Sequence, residues 1–300
     1  MVLTLWAVMD IGTNSSRLLV AEYNRESGKL QTFRRELRTT RIGLGMTEGN
    51  SYLSPEGINR TLQALTEFSD VLKHYPVEQV VVLATQAVRV ACNQEELAEK
   101  IKVALGWDLQ IISGEEEVRL SYLGAMQGLV VTGVPVVIDI GGGSTEFIRK
   151  EEKDHKTYQV HSLPLGALRL WENPLSDEKI RRLLAEGLAD FSWSQKVSLV
   201  GVGGTVTTVA AVQLGLLHYV AEKVQGLKIS ITEIRALYQK LKEMPPEARL
   251  QLAGITPGRE DIIVAGLQIL INIMDYGQVQ QITVSDQDLL VGTIINQLLI

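Results

Sequence analysis

The chain contains two copies of one uncommon pattern, an apolar strand that runs into Asp-Ile-Gly and continues with small polar residues. The first copy is WAVMDIGTNSSRLL, centred on Asp10, and the second is VVIDIGGGSTEF, centred on Asp139. Glycine after a strand lets backbone N–H groups turn toward an anion, because no β-carbon obstructs the approach. The repetition predicts two α/β halves that open alike, each with a turn suited to binding an anion.

The residues around these turns could bind an anion through neutral hydrogen-bond donors instead of positively charged side chains. Neutral donors follow both glycine turns, namely Thr13, Asn14, Ser15, Ser144 and Thr145. A third turn, VGGT at 202–205, also follows an apolar strand. One Gly-Gly-Gly after a strand is usually only a hairpin turn, but three related turns at strand ends are harder to explain that way. Neither Gly-x-Gly-x-x-Gly nor Gly-Lys-Ser/Thr occurs, which disfavours Rossmann and P-loop interpretations.

Charge and composition limit the partners. The 300-residue chain has a net charge of −6, so nothing in its overall charge attracts nucleic acid or a membrane surface. Cys92 is the only cysteine, which excludes an intramolecular disulfide and a cysteine metal cluster and favours a cytoplasmic location. The apolar stretch 262–274 is shorter than the roughly 20 residues of a membrane span and predicts a buried helix.

Hydrophobic periodicity predicts alternating strands and helices, typical of an α/β layer structure. Strands are predicted at 3–9, 17–23, 30–38, 80–84, 109–112, 134–140, 145–149, 157–163, 197–202 and 281–285. Helices are predicted from Ser54-Pro55-Glu56 onward and at 94–105, 115–127, 176–186, 232–242, 259–274 and 288–299. The pattern restarts near Val134, which predicts domains at 1–125 and 126–300, with the terminal helix able to pack on either.

Seven segments carry a family resemblance. They are DIGTNSSRLLV (10–20), RIGLG (41–45), LATQAVRVACN (83–93), ISGEEEVRLSYLG (112–124), VIDIGGGSTEF (137–147), LPLGALRL (163–170) and GVGGTVTTVAA (201–211). Together they resemble the exopolyphosphatase/guanosine pentaphosphate phosphohydrolase (Ppx/GppA) family, within the actin, sugar-kinase and heat-shock ATPase superfamily. The resemblance implies two actin-like (ribonuclease H-like) α/β domains with a ligand cleft between them, in the short form without a C-terminal helical domain.

The resemblance also implies roles for individual residues. Glu117 would be the general base on the attacking water, and Arg89 would hold the terminal phosphate. Asp10, Asp139 and Glu146 would lie at a divalent metal, with Mg²⁺ or Mn²⁺ favoured because the donors are hard oxygens. The phosphates would be bound by Gly12, Asn14, Ser15, Gly141, Gly142, Ser144, Gly204, Thr205 and Arg259. Glu115 and Glu116 keep a structural interpretation, as acidic residues that favour a helix N-terminus.

Two departures from the family pattern affect the expected substrate. Gln86 stands where the family commonly has a small hydroxyl residue, which alters a possible phosphate contact. Leu290 and Val291 replace an Arg-Glu pair, so an anion contact or a domain-closing ion pair is lost and the preferred chain length becomes an open question.

The substrate and reaction classes remain open at this stage. The first hypothesis is an exopolyphosphatase acting on inorganic polyphosphate, and the alternative is hydrolysis of guanosine pentaphosphate. Aromatic residues make up only 5% of the chain, which disfavours a base-stacking nucleoside pocket and tilts the choice toward polyphosphate. A small-molecule kinase and a non-catalytic polyphosphate or alarmone sensor are less favoured, and a homodimer is possible. If both turns bind one anion, the domains must hinge around it.

Overall fold

The computed structural model describes residues 4–24, 29–47, 49–151, 157–193 and 197–299. The chain divides into two compact units. The first comprises Met1–Gly124 together with Leu289–Ile300, and the second is Ala125–Asp288. The terminal helix, which the sequence could not assign to either half, is therefore part of the first unit.

Strands and helices alternate through the described residues. The strands are β1 Leu5–Ile11, β2 Ser15–Asn24, β3 Lys29–Thr39, β4 Gln79–Ala84, β5 Leu109–Ile111, β6 Val134–Ile140, β7 Thr145–Lys150, β8 Tyr158–Leu163, β9 Val197–Val202, β10 Lys228–Ser230 and β11 Gln281–Val284. The helices are α1 Pro55–Leu72, α2 Gln86–Arg89, α3 Gln94–Leu105, α4 Gly114–Ala125, α5 Ala167–Glu172, α6 Asp177–Gly187, α7 Gly203–Gln213, α8 Ala221–Val224, α9 Ile231–Glu243, α10 Pro246–Arg249, α11 Ile263–Tyr276 and α12 Leu289–Leu299.

The two units are built on sheets with the same opening topology. In the first sheet the order is β3-β2-β1-β4-β5, with β1, β2 and β3 antiparallel and β4 and β5 parallel to β1. In the second the order is β10-β11-β9-β6-β7-β8, and β6 again pairs antiparallel with β7 and parallel with β9. Both sheets are mixed and their strands alternate with helices along the chain, which confirms the predicted α/β class.

The first sheet is covered by helices on both faces. Alternate residues of β1 (Leu5, Ala7, Met9 and Ile11) share a core with residues of α1 and α3. Trp6 and Val8 point to the opposite face, where they share a core with α12. Burial on both faces explains why β1 is almost continuously apolar. Leu290 and Val291 lie in this second core, which gives a packing reason for apolar side chains where an Arg-Glu pair was expected.

The longest apolar stretch forms the buried helix of the second unit. Ten residues of α11 are buried, and the helix packs against α5, α6 and α9. It begins at Ile263 and not at Arg259 as predicted, because turns precede it, one of them closed by the Arg259 N–H donating to the Thr256 carbonyl at 3.0 Å. Among the described residues, no helix combines the length and the apolar character that crossing a bilayer requires.

Asp177 links α6 to α11 and makes stability depend on pH. Its carboxylate accepts hydrogen bonds from Gln268 Nε2 and Asn272 Nδ2, each at 2.9 Å. These donors, Gln268 first, lower the pKa of Asp177 from its ordinary value of 3.8, because they stabilise the charged form. The unfolded chain therefore binds the proton more readily than the folded protein does. The resulting stability is present above the ordinary pKa and is lost as the pH falls through the lowered one.

We expect Asp177→Asn to cost about 0.5–1 kcal/mol at neutral pH, since the carboxylate is exposed and its bonds are partly screened. The cost should be smaller in acid, at a pH below the lowered pKa of Asp177, where the wild-type carboxylate is protonated as well. Urea unfolding at both pH values measures it. Glu178→Gln, at the next position of the same helix turn, should change stability at neutral pH by less than about 0.5 kcal/mol, because its side chain is exposed. Equal costs at the two pH values would contradict the linkage.

Candidate functional site

The first unit carries a tight turn, Gly12–Ser15, between β1 and β2. The Gly12 N–H donates to the Ser15 carbonyl at 3.0 Å, which closes the turn. Asn14 and Ser15 are buried, and Asn14 Nδ2 donates to Ser15 Oγ at 3.1 Å. These two side chains therefore brace the turn.

A neighbouring segment, 40–43, holds the carbonyl groups of this turn. The Thr13 carbonyl accepts from the Gly43 N–H at 3.1 Å, and the Asn14 carbonyl accepts from the Arg41 N–H at 2.8 Å. In a trans peptide the C=O and the following N–H point in opposite directions, so these bonds turn the N–H groups of Asn14 and Ser15 away from the segment. The RIGLG motif thus supports the turn, a role that its sequence alone did not indicate.

Asp10 is the last residue but one of β1, beside the turn, and is paired with an arginine that was not predicted from the sequence. Its Oδ2 accepts from Arg17 Nη2 at 2.6 Å and from Arg17 Nε at 3.1 Å. Arg17 lies directly opposite Asp10 in the β1–β2 ladder, so the pairing follows from the register. The arginine neutralises a carboxylate that is only 3% exposed. A role of Asp10 at a metal stays a prediction.

The two residues predicted to be catalytic lie together in the first unit. Arg89 ends the short helix α2 after β4, and Glu117 lies in the first turn of α4. Arg89 Nη1 donates to Glu117 Oε2 at 2.8 Å and to the Ile112 carbonyl at 3.0 Å. The side chains keep 22% and 13% of their surface exposed, so both are partly buried and both are accessible to solvent.

Glu116, next to Glu117, has a different environment. It forms an ion pair with Arg119 at 2.9 Å, and Arg119 also donates to Asn296 Oδ1 on α12 at 2.8 Å. Glu116 therefore helps fasten α4 to the terminal helix. Its contacts agree with the structural interpretation given to it from the sequence.

The second unit carries the counterpart turn, Gly141–Ser144, between β6 and β7. It is closed in the same way, by the Gly141 N–H donating to the Ser144 carbonyl at 3.0 Å. Its glycine carbonyls are held by the N-terminus of α5, from which the Ala167 N–H donates to the Gly141 carbonyl at 2.8 Å and the Leu168 N–H to the Gly142 carbonyl at 3.0 Å. Both turns thus have their carbonyl groups engaged by another segment of their own unit.

A helix N-terminus lies beside the second turn. Helix α7 begins at Gly203 directly after β9, and its first N–H groups have no partner within the helix. Thr205 Oγ1 donates to the Ile140 carbonyl at 3.4 Å and is buried, so only the backbone of Thr205 can serve an anion. A β-carbon on Gly204 would overlap the guanidinium of Arg259. Arg259 therefore packs directly on this helix start and adds a positive charge to it.

Comparison with known proteins shows which family the chain belongs to. A model of the Ppx/GppA phosphatase family matches residues 20–299. The chain belongs to the Ppx/GppA phosphatase family. The family predicted from the seven segments is thereby confirmed.

Family members of known sequence and structure match over almost their whole length. The protein named exopolyphosphatase 2 of Mycobacterium tuberculosis is 33% identical, over 97% of this chain and 98% of its own. The crystal structure of an Aquifex aeolicus Ppx/GppA family member is 30% identical, with a TM-score of 0.80 over 99% of this chain and 98% of that one. An exopolyphosphatase from Cytophaga hutchinsonii is 25% identical, with a TM-score of 0.86 over 98% of both chains. The matches therefore extend over both units of this chain.

Asp139 and Glu146 provide carboxylate oxygens of the kind that Mg²⁺ prefers. Asp139 and Glu146 are direct neighbours across the β6–β7 ladder, and Ser162 Oγ donates to Glu146 Oε1 at 3.0 Å. Within the described ranges, no group of three or more His, Cys, Asp or Glu side chains is placed to hold a metal. Mg²⁺ commonly binds one or two carboxylates and takes its other ligands from substrate phosphates and water. The Asp139–Glu146 pair fits that mode.

The predicted residues of this Ppx/GppA member fall into two sets. The first unit holds Asp10, Gly12, Asn14, Ser15, Arg89 and Glu117, and the second holds Asp139, Gly141, Gly142, Ser144, Glu146, Gly204, Thr205 and Arg259. That the two turns bind a single anion stays a prediction. Arg17 and Ser162, whose side chains contact the predicted Asp10 and Glu146, were not predicted from the sequence, and neither was Arg169, whose side chain donates to the Gly143 carbonyl. Arg17 and Arg169 each had a usable signal, since they lie in two of the seven family segments, DIGTNSSRLLV and LPLGALRL.

Proposed function

We propose that this protein is an exopolyphosphatase, which hydrolyses the terminal phosphoanhydride of inorganic polyphosphate and releases orthophosphate. The observation that carries the proposal is the ion pair of Arg89 and Glu117, at 2.8 Å. It joins the group best suited to bind a terminal phosphate with the group best suited to activate water. The family, and a relative over the whole chain named an exopolyphosphatase, support the same reaction.

The contacts of Glu117 support its assignment as the general base. Its carboxylate is held by the Arg89 guanidinium, and Arg89 is itself fixed to the Ile112 carbonyl. The remaining N–H groups of Arg89 bind the terminal phosphoryl group, so a water beside it lies within reach of Glu117. Glu117 accepts a proton as the water oxygen attacks phosphorus. The bond from phosphorus to the bridging oxygen breaks, and the shortened chain leaves with that oxygen.

Backbone N–H groups and arginines supply the positive potential. The transition state of phosphoryl transfer is loose, so catalysis depends mainly on positioning and charge stabilisation. The N–H groups of the Gly141–Ser144 turn, the start of α7 and Arg259 provide these in a protein whose net charge is −6. When bound, Mg²⁺ or Mn²⁺ neutralises phosphate oxygens, and Asp139 and Glu146 would hold it.

A panel of substrates tests the proposal. Phosphate release should be measured on tripolyphosphate, long-chain polyphosphate and guanosine pentaphosphate, with Mg²⁺ and with a chelator. We expect polyphosphates to be hydrolysed faster than the nucleotide. Short chains should be preferred, because the acidic surface repels a long polyanion. Faster turnover of guanosine pentaphosphate would overturn the substrate assignment, and ATP-dependent phosphorylation of a sugar or an acid would overturn the reaction class.

A further inference from the structure

The Gly141–Ser144 turn has all of its glycine carbonyls pointing one way. Those of Gly141 and Gly142 accept from backbone N–H groups at the start of α5. The Gly143 carbonyl accepts from a side chain, Arg169 Nε, at 3.0 Å. Because C=O and the following N–H point in opposite directions across a peptide, the N–H groups of Gly142, Gly143 and Ser144 face away from α5.

These three N–H groups are successive donors on the same side of the turn. In the part of the chain that the structure describes, none of the three donates to a protein acceptor. Gly143 and Ser144 are nevertheless buried, where a polar group without a partner is costly. Successive N–H groups with this geometry are well suited to bind a phosphate group.

Among the described residues, Arg169 is the only one whose side chain donates to a glycine carbonyl of this turn. It lies in the first turn of α5 and is half-buried. Its own backbone N–H also donates to the Gly142 carbonyl, at 3.0 Å, so the residue is anchored at two points. No ion pair joins it to a carboxylate within the described ranges. Its clearest contact is therefore the peptide whose N–H belongs to Ser144.

We propose that Arg169 is a positioning residue for phosphate binding. Through its Nε it fixes the peptide between Gly143 and Ser144, so that the Ser144 N–H is aimed at the anion. The residue does not touch the substrate. The inference rests on the proposed function only in taking the Gly141–Ser144 turn as a phosphate cradle, and the ligand class it concerns is a phosphate group of a short polyphosphate.

Two substitutions of nearly equal size, Gln and Met, distinguish the contribution of the Arg169 hydrogen bond from that of its charge. In Arg169→Gln the amide Nε2 occupies the place of the arginine Nε and can still donate to Gly143, whereas the charge is gone. In Arg169→Met a methyl group occupies that place, so charge and donor are both lost. Tripolyphosphate binding is measured by calorimetry in a Glu117→Gln background, at fixed Mg²⁺, so that turnover does not interfere.

We expect the Met variant to bind tripolyphosphate about tenfold more weakly, as when one hydrogen bond to a charged group is misdirected. The Gln variant should stay within about threefold of its parent, because it keeps the donor. Amide NMR should show the Ser144 N–H shifting on binding in the parent and in the Gln variant but not in the Met variant. Equal weakening by Gln and Met would mean that Arg169 acts through its charge, which overturns the positioning role.

A second arginine of the same unit provides the control. Arg149 Nη1 donates to the Ser192 carbonyl at 2.6 Å, in a part of β7 away from the turn, and Arg149→Met removes the same charge. We expect it to leave affinity within about twofold. A loss as large as that of Arg169→Met would overturn the proposal. If the wild type binds tripolyphosphate without hydrolysing it, only the proposed function fails, whereas absence of binding in the parent removes the cradle and both proposals.

Discussion

Replacing Glu117 by Gln should lower the rate of phosphate release by at least about 10²-fold, as expected when a positioned general base is removed. The amide keeps the size of the side chain and can still contact Arg89, but it cannot accept the proton of the attacking water. Because Arg89 and the turns remain, tripolyphosphate should bind nearly as well as before. Phosphate release and calorimetric binding, measured on the same preparation, check both parts.

The adjacent Glu116 gives the matched control for this prediction. Glu116→Gln removes the same charge from the same helix start but disturbs only the ion pair with Arg119. Its turnover should stay within about threefold of the wild type, since surface ion pairs contribute little. Unchanged turnover in Glu117→Gln would refute the base assignment and favour a different carboxylate. Turnover that falls together with binding would assign Glu117 to the structure of the site.

Gly166→Ala should disrupt the Gly141–Ser144 turn. A β-carbon at Gly166 would overlap the carbonyl groups of Gly142 and Gly143, which are held against α5 by hydrogen bonds and cannot move aside. Overpacking of this kind costs about 1–3 kcal/mol of folding free energy. We expect kcat/KM to fall by at least about tenfold as well, because a small displacement of the donors misaligns them with the phosphate.

Gly49→Ala is the control for Gly166→Ala, since it also removes the backbone freedom of a glycine. A β-carbon there meets no atom within 4 Å, so stability and activity should be unchanged. Thermal unfolding and steady-state kinetics measure both variants. Wild-type kinetics in Gly166→Ala would show that the cradle geometry is not required for turnover, and wild-type stability would show that the turn can yield to the added methyl group.

Several elements could be read from the sequence because their signals are local. Ser54 caps α1 with its side chain accepting from the Gly57 N–H, as Ser54-Pro55-Glu56 predicted, and α3 spans the predicted residues. The strands before the three glycine turns were also predicted, since buried strands have continuous apolar runs. The helices α2, α5, α8 and α10 were missed, because a helix of four to six residues is too short to show a period.

Other features depended on contacts between distant residues. The Arg89–Glu117 pair spans 28 positions, and the bond from Arg169 to Gly143 spans 26. An arginine that donates to a backbone carbonyl leaves no pattern in the sequence, because the carbonyl is present at every residue. Which carbonyl the arginine contacts depends on the tertiary fold.

The sequence by itself determined the repeated strand-and-turn opening, the α/β class, the family and the residues on which the chemistry is proposed to depend, because these rest on residue types at short spacings. The tertiary structure decided that α12 belongs to the first unit, where its apolar residues complete the core on the Trp6 and Val8 face of β1. It also decided how each glycine turn is oriented. Hydrogen bonds from segment 40–43 and from α5 hold the carbonyl groups and so direct the N–H groups, and such support exists only once the chain has folded.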